Sequence, residues 1–260
     1  EQADHGLGVA DVDDQKHPMR LDTSAKATHS RCCTGVQGRA VQPTGGYGAP
    51  MAASIASTET LLAEAEALLP ETIRLRRDLH QMPEIGLDNP RTQQRLLDSL
   101  DGLGLEVRTS GNCSGITAVL EGEHHGPTIL LRADMDALPL QEDNDITYKS
   151  RTDGQMHACG HDLHVSMLSG AAKLLRDRRK HLHGRVLFMF QPGEEGHHGA
   201  RYMLDEGLLD VGAHAVDGSA SPVTGAFALH ITSSSPVGYV ATRPGPCMAS
   251  SDTMRIVVTG

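Results

Sequence analysis

The chain has 260 residues, 38% of them hydrophobic and 22% charged, with a formal net charge of -10 at pH 7. That length holds one large domain or two modest ones, and the acidic balance gives a nucleic-acid partner no electrostatic support. No apolar run approaches the ~18–20 residues of a membrane span, so no membrane partner is expected either. Five cysteines, scattered apart from Cys32-Cys33, do not resemble a disulfide framework, and the first residues lack a basic stretch leading into an apolar core. A reduced, cytoplasmic setting is the expectation.

Residues 1–50 follow no apolar period and end in "QPTGGYGAP", which reads as a linker. They are expected to be a disordered or non-native extension, with Met51 the more natural start. From Ser57 the pattern is regular. Leu61, Leu62, Ala65, Leu68, Leu69, Ile73 and Leu79 follow helical spacing up to about His80. Asn89-Pro90 makes an N-cap and first-turn pair for a second helix carrying Leu96, Leu97, Leu100 and Leu103, ending near Gly104. Short β-type runs follow at 105–109, 115–121 and 128–133, then a third helix from about His164 to Arg179. "GRVLFMFQ" (184–191) is uninterruptedly apolar, as a strand buried on both faces should be. A short helix is expected near 199–206, and strands near 226–231, 238–242 and 253–260. Strands alternating with helices predict an α/β domain with a mostly parallel central sheet, whose chemistry collects at the carboxyl ends of the strands.

Four clusters fall at such ends or in the loops beyond them. In "RADMDALP" (132–139), Asp134 and Asp136 occupy alternate positions after an apolar run and so point to the same side. In "MHACGHDLH" (156–164), Cys159 and His161 are separated only by Gly160, a spacing that lets both reach one divalent ion. Asp162 is placed to accept the distal N–H of a ligating imidazole. In "FQPGEEGHHGA" (190–200), Glu194 and Glu195 are costly to hold together unless a cation or a shared proton relieves their repulsion. One would bind metal and the other act as general base, while His197 and His198 read as loop residues. His230, at the end of "AFALHI", would complete a four-ligand set with Cys159, His161 and Glu195. Each cluster alone has an ordinary alternative: solvated aspartates, a buried cysteine with surface histidines, an acidic turn, a hydrogen-bonded core histidine. Together they point to a metal site.

"LRRDLHQMPEIG", "RADMDALP", "MHACGHDLH", "VLFMFQPGEEGHHGARYM" and "ALHI" occur in that order. The combination closely resembles the metal-dependent amidohydrolases that include aminoacylases, hippurate hydrolases, auxin-conjugate hydrolases and related carboxypeptidases, over about Ile55 to Gly260. The resemblance implies a zinc-peptidase-like catalytic α/β domain with a smaller α+β lid or dimerisation domain inserted into it. It implies Cys159, His161, Glu195 and His230 as metal ligands, Glu194 as general base, and Asp136 as the aspartate that orients a metal-site residue. Asp134 stands where more distant relatives place a ligating histidine. His157 and His164 are assigned to the loop and the following helix. The implied reaction is hydrolysis of the amide bond of N-acyl amino acids or similar small conjugates, with one or two divalent ions (Mn, Zn, Co or Ni) activating water. In such enzymes the lid begins around "SSDTMRIVVTG", and a last His ligand follows it. Residues 51–248 are therefore expected to be the first part of the catalytic domain and 249–260 the first lid strand of a truncated chain, the full-length form a homodimer through the lid. The alternatives are a peptidase or N-acetyl-diaminopimelate-type deacetylase of the same fold, or an inactive metal-binding scaffold.

Overall fold

A computed structural model describes residues 58–211, 217–248 and 257. The expected extension (1–50) and all of the expected lid strand (249–260) except Val257 lie outside the described residues. Two units are distinguished: Gly45–Ile231, and a second made of Glu1–Thr44 with Thr232–Gly260.

In the first unit, helix α1 (Thr58–His80) buries Leu75 and Leu79, and Pro70 sits inside it. Helix α2 (Pro90–Leu100) starts where the Asn89-Pro90 pair predicts. Its cap is different, however: the Asn89 side chain makes no capping bond. The Glu84 carboxylate reaches across instead, accepting from the Thr92 N–H at 2.8 Å and the Arg91 N–H at 3.3 Å. A carboxylate there also opposes the positive end of the helix dipole. Helix α3 (His161–Arg176) begins three residues before the expected start, with Gly160 in the left-handed region as its N-cap.

The sheet contains β1 (Glu106–Thr109), β2 (Ile116–Glu121), β3 (His124–Asp134), β4 (His183–Gln191) and β5 (Val223–Ala228), in the order β1-β2-β4-β3-β5. The three strands β4, β3 and β5 are parallel, whereas β1 and β2 add an antiparallel edge. Along β4 the pleat sends alternate side chains to opposite faces. Val186, Phe188 and Phe190 join Leu75, Leu79, Leu96, Leu100, Val165, Leu168 and Ala172 from the three long helices. Leu187 and Met189 face the other way, onto Met203 and Leu208 of two short helices, α4 (Gly199–Asp205) and α5 (Leu208–Val211). Helices thus cover both faces, and the unbroken apolar run of β4 follows from its double burial.

The strand expected at 238–242 does not form. Val237, Tyr239 and Val240 are exposed and the segment runs as turn and irregular chain. β-type residues need a partner strand to build a ladder, and Pro236, Pro244 and Pro246 cut this run short. The strand expected over 226–231 ends at Ala228, which leaves His230 in the segment beyond it.

Candidate functional site

The carboxyl ends of β3 and β4 lie side by side, with Asp134 opposite Gln191 in register and the Met135 N–H donating to the Gln191 carbonyl at 2.8 Å. Two residues on, the buried Asp136 carboxylate accepts the backbone N–H of Glu194 at 2.9 Å and of Glu195 at 3.1 Å. The acidic turn is closed by Gly196 N–H to Glu194 O at 2.7 Å and Gly199 N–H to Gly193 O at 3.0 Å. A Cβ on Gly199 would stand 1.7 Å from the Pro192 carbonyl oxygen, so only glycine permits this turn. One aspartate on β3's extension thereby aims two glutamates on β4's.

Cys159 and His161 come from the turn into α3. Gly160 between them has φ +81°, and a Cβ there would meet the Ile231 Cδ1 at 2.2 Å. The bare face of Gly160 is where the segment after β5 settles. His161 is buried, and four carboxylates face its ring. Asp136 stands 3.5 Å from Nδ1, while Asp134, Glu195 and Glu194 stand 3.7, 3.8 and 4.0 Å from Nε2. Neither nitrogen makes a hydrogen bond of good geometry. Burial alone would lower the pKa of His161; the Asp136, Cys159 and Asp134 side chains reverse this and push it up to about 11. So much negative potential at one buried point asks for a cation.

His230 closes the arrangement. Its Nδ1–H donates to the Ile231 carbonyl at 2.5 Å, which leaves the Nε2 lone pair directed toward Cys159 Sγ, 3.4 Å away. Donors at ~2.3 Å (S) and ~2.0 Å (N) from one tetrahedral ion would be about 3.5 Å apart. A backbone carbonyl on the far nitrogen is also how ligating histidines are held. Among the described residues, three groups each have donor atoms that lie within 4.8 Å of one another: Cys159–His161–His230, His161–Glu194–Glu195, and Asp134–His161–His164. The orphaned buried imidazole, the anionic surroundings and the sulfur–nitrogen spacing all fit a divalent cation.

The neighbours of the site differ from expectation in two places. Asp162 does not face the imidazole of His161. Its Oδ2 is taken by His80 Nδ1 at 2.7 Å and Arg76 Nε at 2.9 Å, because the first turn of α3 directs it toward α1. The carboxylate nearest His161 Nδ1 is that of Asp136. His164, assigned to the helix alone, belongs to α3 but turns its buried ring into the site, where it bonds Asp134 at 2.6 Å and the Ile231 N–H at 3.1 Å. The i, i+3 spacing from His161 on one helix face was the signal that could have found it. His157 is buried, and burial holds its imidazole down at about 4. His197 and His198 are exposed residues of the turn.

His80 and Glu142 were not singled out from the sequence. His80 Nε2 bonds Glu142 Oε1 at 3.1 Å, and Glu142 also receives the Ser150 N–H at 2.6 Å, so one buried imidazole ties α1, the 142–150 loop and α3 together. The largest influence on Asp134 is burial, which raises its pKa; His164, His161 and Arg132 outweigh it and hold the carboxyl down at about 2.

The chain is similar to known proteins in sequence and in fold. Residues 130–258 match Peptidase family M20/M25/M40. The chain is 39% identical over 189 residues to an N-acetylcysteine deacetylase of Bacillus subtilis, covering 72% of this chain and 47% of that protein. It is 38% identical over 188 residues to an IAA-amino acid hydrolase of Arabidopsis thaliana, covering 72% of this chain and 40% of the relative. Among solved structures, a dinuclear metal binding peptidase from the M20 family of Bacillus subtilis superposes with a TM-score of 0.60 at 37% identity, over 66% of this chain and 45% of that one. The chain therefore spans less than half the length of these curated relatives.

Proposed function

Because the chain carries a Peptidase family M20 domain, we propose that it supplies the metal-binding part of an amidohydrolase acting on N-acyl amino acids or similar small conjugates. The observation that carries this reading is the meeting of Cys159, His161 and His230 beside the Glu194–Glu195 pair at the carboxyl ends of three parallel strands. The named activities of the N-acetylcysteine and IAA-amino acid relatives support the substrate class.

Cys159, His161, His230 and Glu195 would hold the divalent ion. When bound, such an ion supplies Lewis acidity, polarising the scissile carbonyl and making a nearby water more acidic. Glu194, the more exposed of the two glutamates, takes the proton of the attacking water and passes it to the leaving nitrogen. Asp136 keeps both glutamates aimed through their backbone N–H groups. Mn, Zn, Co and Ni remain candidate ions, since thiolate and imidazole donors suit all four. A thiol ligand must stay reduced, which supports a cytoplasmic setting.

The test is calorimetric titration with Mn²⁺ and Zn²⁺, paired with hydrolysis assays on a panel of N-acetyl amino acids. Glu194→Gln is expected to keep metal affinity while turnover falls ~10²–10⁴-fold. Near-normal turnover in that variant would refute the base assignment, and no divalent affinity in the parent would refute the metal centre. Tight binding with no hydrolysis of any panel member would favour a metal-binding scaffold.

A further inference from the structure

Of the three overlapping donor groups, the one containing Asp134 and His164 is occupied by its own hydrogen bonds. Asp134 is almost fully buried; its Oδ1 faces His164 Nδ1 at 2.6 Å and its Oδ2 faces Arg132 Nη1 at 2.8 Å. The Ile231 backbone N–H can only donate, so His164 Nε2, 3.1 Å away, must present its lone pair. The ring proton therefore sits on Nδ1 and is given to Asp134. Both ring nitrogens are committed, so His164 has no donor atom left for an ion, and each Asp134 oxygen already takes one bond within the pair and its arginine.

The second bond has a direction that matters. It runs from the first turn of α3 across to the residue that follows His230, on a segment that has already left β5. Ile231 is held twice there: by its N–H on His164 and by its side chain on the bare face of Gly160. The His230 ring lies 4.7 Å from that of His164 at 66°, and its Nδ1 bonds the carbonyl of the same Ile231. His230 itself is exposed, and among the described residues its other side-chain polar contact is with Cys159. What fixes it lies one residue on.

We propose that His164 is a positioning residue: oriented by Asp134 and Arg132, it pins Ile231 and so holds His230 Nε2 against Cys159. The proposal rests on the metal-centre reading above. It assigns to Asp134 a role as brace, and removes the Asp134–His161–His164 group from the candidate ion sites.

Two replacements separate the halves of the brace. His164→Asn retains a donor near the Nδ1 position for Asp134 and cannot reach Ile231. His164→Gln places its carbonyl oxygen near the Nε2 position and forgoes the Asp134 bond. Hydrogen exchange at the Ile231 amide and Mn²⁺ affinity by calorimetry are read on each, with β4 amides as the measure of global folding. In the Asn variant, Ile231 exchange should rise to that of its unprotected neighbours and Mn²⁺ affinity should fall ~10–100-fold, the range for residues that orient ligands. The β4 amides should stay protected. The Gln variant should keep Ile231 protected and recover part of the affinity. Unchanged exchange at Ile231 in the Asn variant, or faster exchange with undiminished affinity, overturns the proposal. If the Asn variant does not fold, loss of Ile231 protection in the Gln variant overturns it. A parent chain that does not bind Mn²⁺ sinks the metal-centre reading, and the exchange measurement still decides whether His164 pins Ile231.

Discussion

Gly160→Ala isolates what the Cys159–Gly160–His161 turn demands. The backbone φ of +81° costs an L-residue about 1–2 kcal/mol. The added methyl would lie 2.2 Å from Ile231 Cδ1. That atom must retreat by about 1.3 Å to reach an ordinary carbon–carbon separation of ~3.5 Å. Ile231 is half-buried and can swing outward, which forfeits about 1 kcal/mol of its apolar contact. The expected loss is therefore ~2–3 kcal/mol in urea unfolding, together with faster hydrogen exchange at Ile231 and weaker Mn²⁺ binding as His230 follows its neighbour. Gly170→Ala is the control. That glycine lies within α3, and its nearest foreign atom would be Thr72 Oγ1 at 3.4 Å. Ala there should stabilise by up to about 0.5–1 kcal/mol through the helix backbone alone. If Gly160→Ala unfolds within about 0.5 kcal/mol of the parent and Ile231 exchanges no faster, the packing of Ile231 on Gly160 is not what seats His230.

The buried His80 makes the fold sensitive to alkaline pH. Burial opposes its charge, yet bonds to Asp162 and Glu142 raise its folded pKa above the usual 6.5. A raised folded pKa gives stability that is full below about 6.5 and is lost as pH rises through the folded value. Urea unfolding from pH 6 to 9 should therefore show a decline that His80→Gln flattens; equal slopes in parent and variant would contradict this. At pH 6 the same variant, which leaves two buried carboxylates short of a partner, should cost ~3–5 kcal/mol. For α2, Glu84→Ala should cost ~1–2 kcal/mol, as lost helix caps do, and more than Asn89→Ala. The opposite order in thermal unfolding would return the capping role to Asn89.

The sequence patterns that proved legible were those written within one element. The apolar run of 184–191 became a strand buried on both faces, and Asn89-Pro90 marked the start of α2 to the residue. Cys159, His161, Glu194, Glu195 and His230 could be grouped because each stood at a strand end or in the loop after one, and an α/β sheet gathers such ends. What escaped depends on how elements approach one another. Glu84 caps α2 from outside the helix, and Asp162 turns toward α1 rather than toward His161. His80 meets Glu142 across 62 residues of chain. Nothing in the local order of residues 226–231 says that β5 stops at Ala228 or that Ile231 comes to rest on a glycine. The run at 238–242 shows the converse, since its composition favours a strand that tertiary pairing does not provide.

Cys159 and His230 are 71 residues apart in the chain, and His230 lies on the segment that follows β5, which pairs with β3. Local pairs such as Cys159 with His161 need only a short loop to close, whereas closing so long a loop is among the slower and entropically costlier events of folding. The order of assembly then becomes measurable: in a refolding experiment, metal capture should lag behind formation of the β2–β4 core and keep pace with the docking of β5. A cation already present could hold the local Cys159–His161 pair only loosely, and would gain its grip at the moment the last parallel strand arrives.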